Sequence, residues 1–183
     1  MKEVFHEANE LLSKGEPIVV ATVVRTKGST PQKQGAKLLV RKDGSGVGTL
    51  GGGCVEGDSW CAAKELLKRG GEAQYRNYEL NEELAAEDGL VCGGTMYFFI
   101  DPVYRPEDYL PYAEAIDGAY DGRGTVAMAT LIKAPEGSDT RIGAKLFIRE
   151  DGSTDGSLGD EGIEHEAVKK ALELMVHGSN EYV

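Results

Sequence analysis

Apolar positions first fall in a helical rhythm. Val4, Ala8, Leu11 and Leu12 recur at that spacing and Gly15 follows as a stop, so residues 3–14 are predicted to form a short helix. The rhythm then changes. Ile18 to Val24 is a β-branched run suited to a buried strand, and Pro31 breaks the next stretch into a loop rich in Gly, Ser, Thr and Gln. Lys37–Arg41 and Val47–Leu50 flank Asp43-Gly44, which predicts a hairpin. A helix follows from about Cys54 to Lys68, closed by Gly70-Gly71. Ala73–Leu80 reads as a strand, Asn81–Gly89 as a polar loop or helical turn, and Met96–Ile100 as a strand ending at Pro102.

The second half repeats this order. Pro106–Tyr120 is predicted helical and Thr125–Lys133 extended. Gly143–Arg149 and Gly156–Leu158 form a hairpin, and a helix runs from about Gly162 to Val176, with a frayed tail from Gly178 to Val183. The repetition extends to the letters. At an offset of 108 residues, Ala21-Thr22 falls on Ala129-Thr130, and residues 35–45 (GAKLLVRKDGS) fall without a gap on residues 143–153 (GAKLFIREDGS). Leu50-Gly51 and Glu56 then meet Leu158-Gly159 and Glu164. Residues common to both copies are expected to be structural. The copies differ at two loops: Gly28-Ser29-Thr30-Pro31 faces Glu136-Gly137-Ser138-Asp139, and Gly51-Gly52-Gly53-Cys54 faces Gly159-Asp160-Glu161-Gly162.

Interleaved strands, hairpins and helices predict an α+β fold, a mixed α/β sandwich. Two pseudo-repeated β-hairpin-helix lobes, 1–102 and 103–183, are expected around one sheet core in a single domain, which 183 residues suffice to build. No apolar run approaches the ~20 residues of a membrane span, and Met1-Lys2-Glu3 lacks the apolar core of a secretion signal, so a cytoplasmic location is expected. Three cysteines in such a chain argue against a disulfide framework. A net charge of −11 disfavours nucleic acid or an anionic membrane as partner. The acidity is uneven, however. Arg25, Lys27, Lys33, Lys37, Arg41 and Lys42 occur with no acid until Asp43, whereas the second copy adds Glu136, Asp139 and Glu150. The first copy is therefore the better anion site, although a solvated strand face gives the same pattern.

Three constellations carry candidate chemistry. In Gly51-Gly52-Gly53-Cys54-Val55-Glu56, glycines join a strand to a helix. Such a joint lets a ligand approach the backbone, and free N–H groups at a helix start suit an anion. A cysteine there has its thiolate favoured as nucleophile or soft-metal ligand. The alternative is a tight turn with a small buried cysteine. Gly89-Leu90-Val91-Cys92-Gly93-Gly94 couples a second cysteine to glycines; a β-bulge with a packed cysteine is the other reading. Gly28-Ser29-Thr30-Pro31 offers two hydroxyls beside basic neighbours, or is simply a turn. Glu56 recurs as Glu164 and reads as a first-turn carboxylate rather than a base, and Cys61 as a core residue. Gly46 to Gly51 spells GxGxxG, but it follows a hairpin turn instead of a strand. His6, His165 and His177 lack paired-ligand spacing, which argues against a structural zinc.

With these motifs, from about Ile18 to Pro102, the chain resembles the XdhC/CoxI family, accessory factors of xanthine dehydrogenase and related molybdenum hydroxylases. Beyond Pro102 the resemblance rests on the internal repeat. It implies a chaperone that carries the molybdenum cofactor (molybdopterin) as cargo, protects it during sulfuration and delivers it to the apo-hydroxylase. The site would comprise Gly28, Ser29, Thr30, Gly51, Gly52, Gly53, Cys54, Glu56, Cys92, Gly93 and Gly94, with Cys54 and Cys92 at the metal. Implied partners are the xanthine dehydrogenase-like enzyme, a cysteine desulfurase, further copies in a homo-oligomer, and a separate Rossmann-domain subunit, since many members carry such a C-terminal domain and this sequence reads as a short form. Two enzyme readings stand beside it: thiol-dependent sulfur transfer, and a nucleotide-using oxidoreductase through Gly46–Gly51. A degenerate docking module is a third class, which has no need of Gly-Gly-Gly-Cys.

Overall fold

A computed structural model describes residues 1–80, 94–134 and 140–182. Helix α1 (Lys2–Ser13) buries Val4, Ala8, Leu11 and Leu12, and ends where Lys14 and Gly15 donate back to the Leu11 and Leu12 carbonyls. Strand β1 (Ile18–Gly28) outruns its apolar core. Its polar end, Arg25 to Lys27, pairs with Tyr97, Met96 and Thr95 of β5 (Gly94–Val103) after an irregularity between Val23 and Arg25. Between these two strands come β2 (Lys37–Val40), β3 (Gly46–Gly48), helix α2 (Gly53–Arg69) and β4 (Gln74–Glu79). They form an antiparallel sheet in the order β3-β2-β1-β5-β4. Strand β5 continues through Pro102 to Val103 instead of stopping at the proline.

The alternation of side chains fixes the layers. Val19, Ala21, Val23, Leu38, Val40, Met96, Phe98 and Ile100 point to one face, where α2 supplies Val55, Ala62, Ala63 and Leu66. Ile18, Leu39 and Val103 join the other face, against α1 and Ala113 of α3 (Pro106–Tyr120). Full burial of residues such as Phe98 or Ile100 stabilises by about 1.5–3 kcal/mol each.

The strands divide between two sheets, not the one expected, while the α+β class stands. Strands β6 (Val126–Thr130), β7 (Lys145–Arg149) and β8 (Thr154–Gly156) make the second sheet. Leu146 and Ile148 pack with Ala171 of α4 (Glu161–Met175), and Phe147 stacks on Tyr112 of α3 at 5.3 Å. The division follows from face chemistry: a three-stranded sheet with its own helix closes its own small core.

The same hydrogen bonds recur at the 108-residue offset. Gly35 N–H donates to the Val23 carbonyl as Gly143 does to Leu131, and Arg41 to Ser45 as Arg149 to Ser153. The tail is not frayed over its described residues. Tyr182 lies 5.5 Å from the Arg25 guanidinium, Glu181 pairs with Lys170 at 2.9 Å, and Asn180 covers Gly35. No helix among the described residues is long and apolar enough to cross a membrane.

Candidate functional site

Three sequence-distant motifs meet at one end of the five-stranded sheet. Gly28, the last residue of β1, pairs with Gly94, the first of β5. A Cβ on Gly94 would lie 2.4 Å from the Ser29 carbonyl oxygen and 2.7 Å from that of Lys27, so only glycine fits there. Gly51 has φ +114°, and a Cβ would come within 2.8 Å and 2.9 Å of the Pro31 ring. The Gly28–Pro31 loop is thus wedged between the glycine turn and the start of β5. Gly52 and Gly53 also have positive φ, +77° and +64°, and the position of a Gly52 Cβ is open space.

Glu56 clasps this turn. Its Oε2 accepts from Thr49 Oγ1 at 2.6 Å, Leu50 N at 2.7 Å and Gly52 N at 3.2 Å, while Thr49 Oγ1 accepts from Gly51 N at 3.0 Å. Burial opposes its ionisation, but the hydrogen bonds outweigh that and hold the carboxyl below its usual range. In the second copy Glu164 takes Ser157 Oγ at 2.6 Å and Leu158 N at 2.7 Å in the same way. The carboxylate of Glu56 therefore points back into the turn that it shapes, and sequence reasoning missed its partner Thr49, which is Ser in the other copy.

The copies differ at the helix start. Asp160 caps α4 by accepting from Ile163 N at 2.9 Å. In α2 the cap position is Gly52, which has no side chain to offer, and among the described residues no side chain accepts from the N–H groups of Gly53, Cys54 or Val55. Glu56 and Glu164 place a carboxylate at both helix starts, but only the second copy adds a side-chain cap, so first-turn N–H groups stay uncapped in the first copy.

Cys54 is exposed in the first turn of α2. Cys61 is exposed too, which overturns the core expectation: seven residues on, it shares the outer face with Cys54, and the buried face is Val55, Ser59, Ala62, Ala63 and Leu66. Ser29 is exposed at the loop, whereas the Thr30 hydroxyl donates within it, to the Gln32 carbonyl at 2.9 Å. Cys92 and Gly93 lie outside the described residues, as do residues 136–139.

The basic stretch does not form one patch. Arg41 pairs with Glu7 at 2.6 Å, Arg25 stacks between Tyr97 and Tyr182, and Lys37 turns inward to Thr22 Oγ1 at 2.9 Å. Lys27 and Lys33 remain exposed on either side of the Gly28–Pro31 loop. The GxGxxG letters fall on β3 and the turn after it, and Gly46 and Gly48 let that strand approach the Leu39 and Lys37 carbonyls. No group of three or more His, Cys, Asp or Glu among the described residues is placed to hold a metal ion.

The sequence profile of the XdhC and CoxI family matches residues 11–78 and 119–183. The chain belongs to the XdhC and CoxI family. The match takes in the loop, the glycine turn and Cys54, and it extends directly over the second copy, past the limit of the motif resemblance. The molybdenum cofactor insertion chaperone PaoD of Escherichia coli is 36% identical over 88 residues, 48% of this chain and 27% of PaoD. A Bacillus subtilis protein described as a probable subunit of xanthine dehydrogenase is 48% identical over 48 residues, 26% of this chain and 14% of that protein. A solved structure described as a xanthine dehydrogenase from Bacillus halodurans is 25% identical with a TM-score of 0.61, covering 84% of this chain and 44% of that one. This XdhC/CoxI chain thus spans well under two thirds of the length of each.

Proposed function

We propose that this chain takes part in maturing a xanthine dehydrogenase-type molybdenum hydroxylase: it holds the molybdenum cofactor as cargo and delivers it after sulfuration. The observation that carries this reading is the convergence of Gly28–Pro31, Gly51–Gly53 and Gly94 beside an uncapped helix start with an exposed thiol. Open N–H groups and the helix dipole suit the phosphate of the pterin cargo. The Cys54 thiolate is a soft donor for molybdenum, and Cys92 is its proposed companion. Among the described residues no group of three or more potential ligands is placed to hold a metal ion, which fits cargo that must leave again better than a permanent metal centre. Family membership and the likeness to PaoD support the same reading. A cytoplasmic location belongs to this proposal, as do three partners: a cysteine desulfurase, a separate Rossmann-domain protein and further copies of the chain itself.

The test is anaerobic incubation with molybdenum cofactor, desalting, and assay of the protein fraction for oxidised pterin fluorescence and for molybdenum. Retention by the wild type and its loss in Cys54→Ala is the expected result. A folded protein that retains neither pterin nor metal would overturn the reading. A persulfide on Cys54 in that case would favour sulfur transfer.

A further inference from the structure

A second polar cluster lies away from the glycine turn, where the two sheets meet. Lys37 and Lys145 occupy the same position in the two copies, each the first residue of its hairpin. Lys145 crosses to the first sheet: its Nζ donates to Asp101 Oδ2 of β5 at 2.5 Å and to the Gly143 carbonyl at 2.9 Å. Both members of that ion pair are largely buried, at 14% and 16% side-chain exposure. Lys37 comes from the other side. Its Nζ donates to the Thr22 hydroxyl of β1 at 2.9 Å, and among the described residues no carboxylate lies within ion-pair distance of it.

The groups around Lys37 come from every packed element. Asp101 of β5 attracts its charge and Lys145 of β7 repels it, so both are within electrostatic reach. Helix α1 presents the Phe5 ring at 5.9 Å. Tyr109 of α3 also borders the cluster, its ring 5.8 Å from Lys145 Nζ. Burial, with Asp101 adding to it, pushes its ionisation far above the ordinary phenol range, so it stays neutral. One carboxylate thus serves two buried amines that the repeat makes equivalent.

We propose that Lys37, Asp101 and Lys145 form a charge-controlled latch between the two sheets, in which the repeat-equivalent lysines compete for a single carboxylate. With Lys37 neutral, the Lys145–Asp101 pair is balanced and the sheets are clasped. With Lys37 protonated, a second positive charge sits beside the pair with the Thr22 hydroxyl but no carboxylate of its own among the described residues, and the contact loosens. Burial, offset only in part by the attraction of Asp101 and reinforced by a smaller repulsion from Lys145, lowers the Lys37 pKa to about 8 from 10.5. A lowered amine pKa means the unfolded chain binds more protons across that window. Stability therefore rises with pH between those values, and the cost is fully present below the lower one.

The latch ends one hydrogen bond from the glycine turn. The Lys37 carbonyl accepts from Thr49 N at 3.0 Å, and Thr49 holds Glu56. Control of cargo binding through that bond rests on the proposed chaperone role; the latch itself does not.

Competitive trace acetylation with acetic anhydride, read by peptide mass spectrometry from about pH 6 to pH 11, reports each lysine's titration without any cargo. In the wild type Lys37 is expected to titrate well below the surface lysines. In Lys145→Met its midpoint should rise by roughly one unit or more, as Asp101 passes to it, and in Asp101→Asn it should fall further. A structural lysine would not shift in opposite directions. Lys37 titrating with the surface lysines, or unmoved in Lys145→Met, overturns the latch. Should Asp101→Asn not fold, Lys145→Met and the melting of Lys37→Met, expected to lose the wild-type rise in Tm above neutral pH, decide it alone.

Discussion

Ser59 sits fully buried on the core face of α2, and its hydroxyl finds no partner among the described residues. A desolvated hydroxyl left unpaired costs free energy that alanine would not, and alanine is also the better helix former. Ser59→Ala is expected to stabilise the chain by about 1 kcal/mol, or roughly 2–4 °C in Tm. Thermal unfolding checks it, and an unchanged or lower Tm would mean that the hydroxyl has a use the packing does not reveal. The same helix shows why single residues misled. Cys61, read as core beside Trp60 and Ala62, faces out with Cys54, while polar Ser59 faces in. Both assignments hang on the rotation of α2 about its axis. That is set by Ala62, Ala63 and Leu66 meeting β1 and β5, and small residues carry too weak a hydropathy signal to announce it.

At the scale of elements, most helices and strands were legible, because apolar period and turn residues act locally. Helix Pro106–Tyr120 has the predicted bounds, with Pro106 opening it. The repeat made the glycine turn legible by contrast: Asp160 closes in one helix start what Gly52 leaves open in the other. The sequence could not reveal that Gly94 abuts Ser29 or that Gly51 abuts Pro31, since these contacts join residues far apart in the chain. The two neighbouring glycines now separate structure from ligand. Gly51→Ala forces a Cβ against Pro31 at φ +114°, so a loss above about 2 kcal/mol is expected. Gly52→Ala meets no atom, but at φ +77° and ψ −171° it holds a backbone conformation that essentially only glycine adopts, so a strain of about 1–3 kcal/mol without a clash is expected. Its new methyl, however, enters the open space above the helix start. With pyrophosphate as probe, thermal melts should show a ligand-induced rise in the wild type that Gly52→Ala loses. If Gly52→Ala kept the full rise, the anion would have to bind elsewhere.

For the molecule as a whole, the tail returns the end of the second half to the first. Hydropathy says nothing of this, because Ser179-Asn180-Glu181-Tyr182 is a polar stretch with one aromatic. It is held instead by particular partners: Asn180 over Gly35, Tyr182 over Arg25, and Glu181 on Lys170. The exposed ion pair contributes little. The Arg25–Tyr182 stack, continued by Tyr97 at 5.6 Å from the same guanidinium, contributes about 0.5–1 kcal/mol, and burial of the ring adds to it. The consequence reaches the candidate site, since Gly35 closes the loop that begins at Gly28-Ser29, and its N–H is tied to the Val23 carbonyl at 2.7 Å. Removing residues 179–183 is therefore expected to cost about 1–2 kcal/mol, read as a lower urea midpoint. Amide exchange should quicken selectively over residues 29–36, while the β6–β7 hydrogen bonds, held by their own core, keep their protection. Uniform loss of protection in both sheets would show that the tail supports the fold at large and not this loop, and an unchanged midpoint would show that it supports neither.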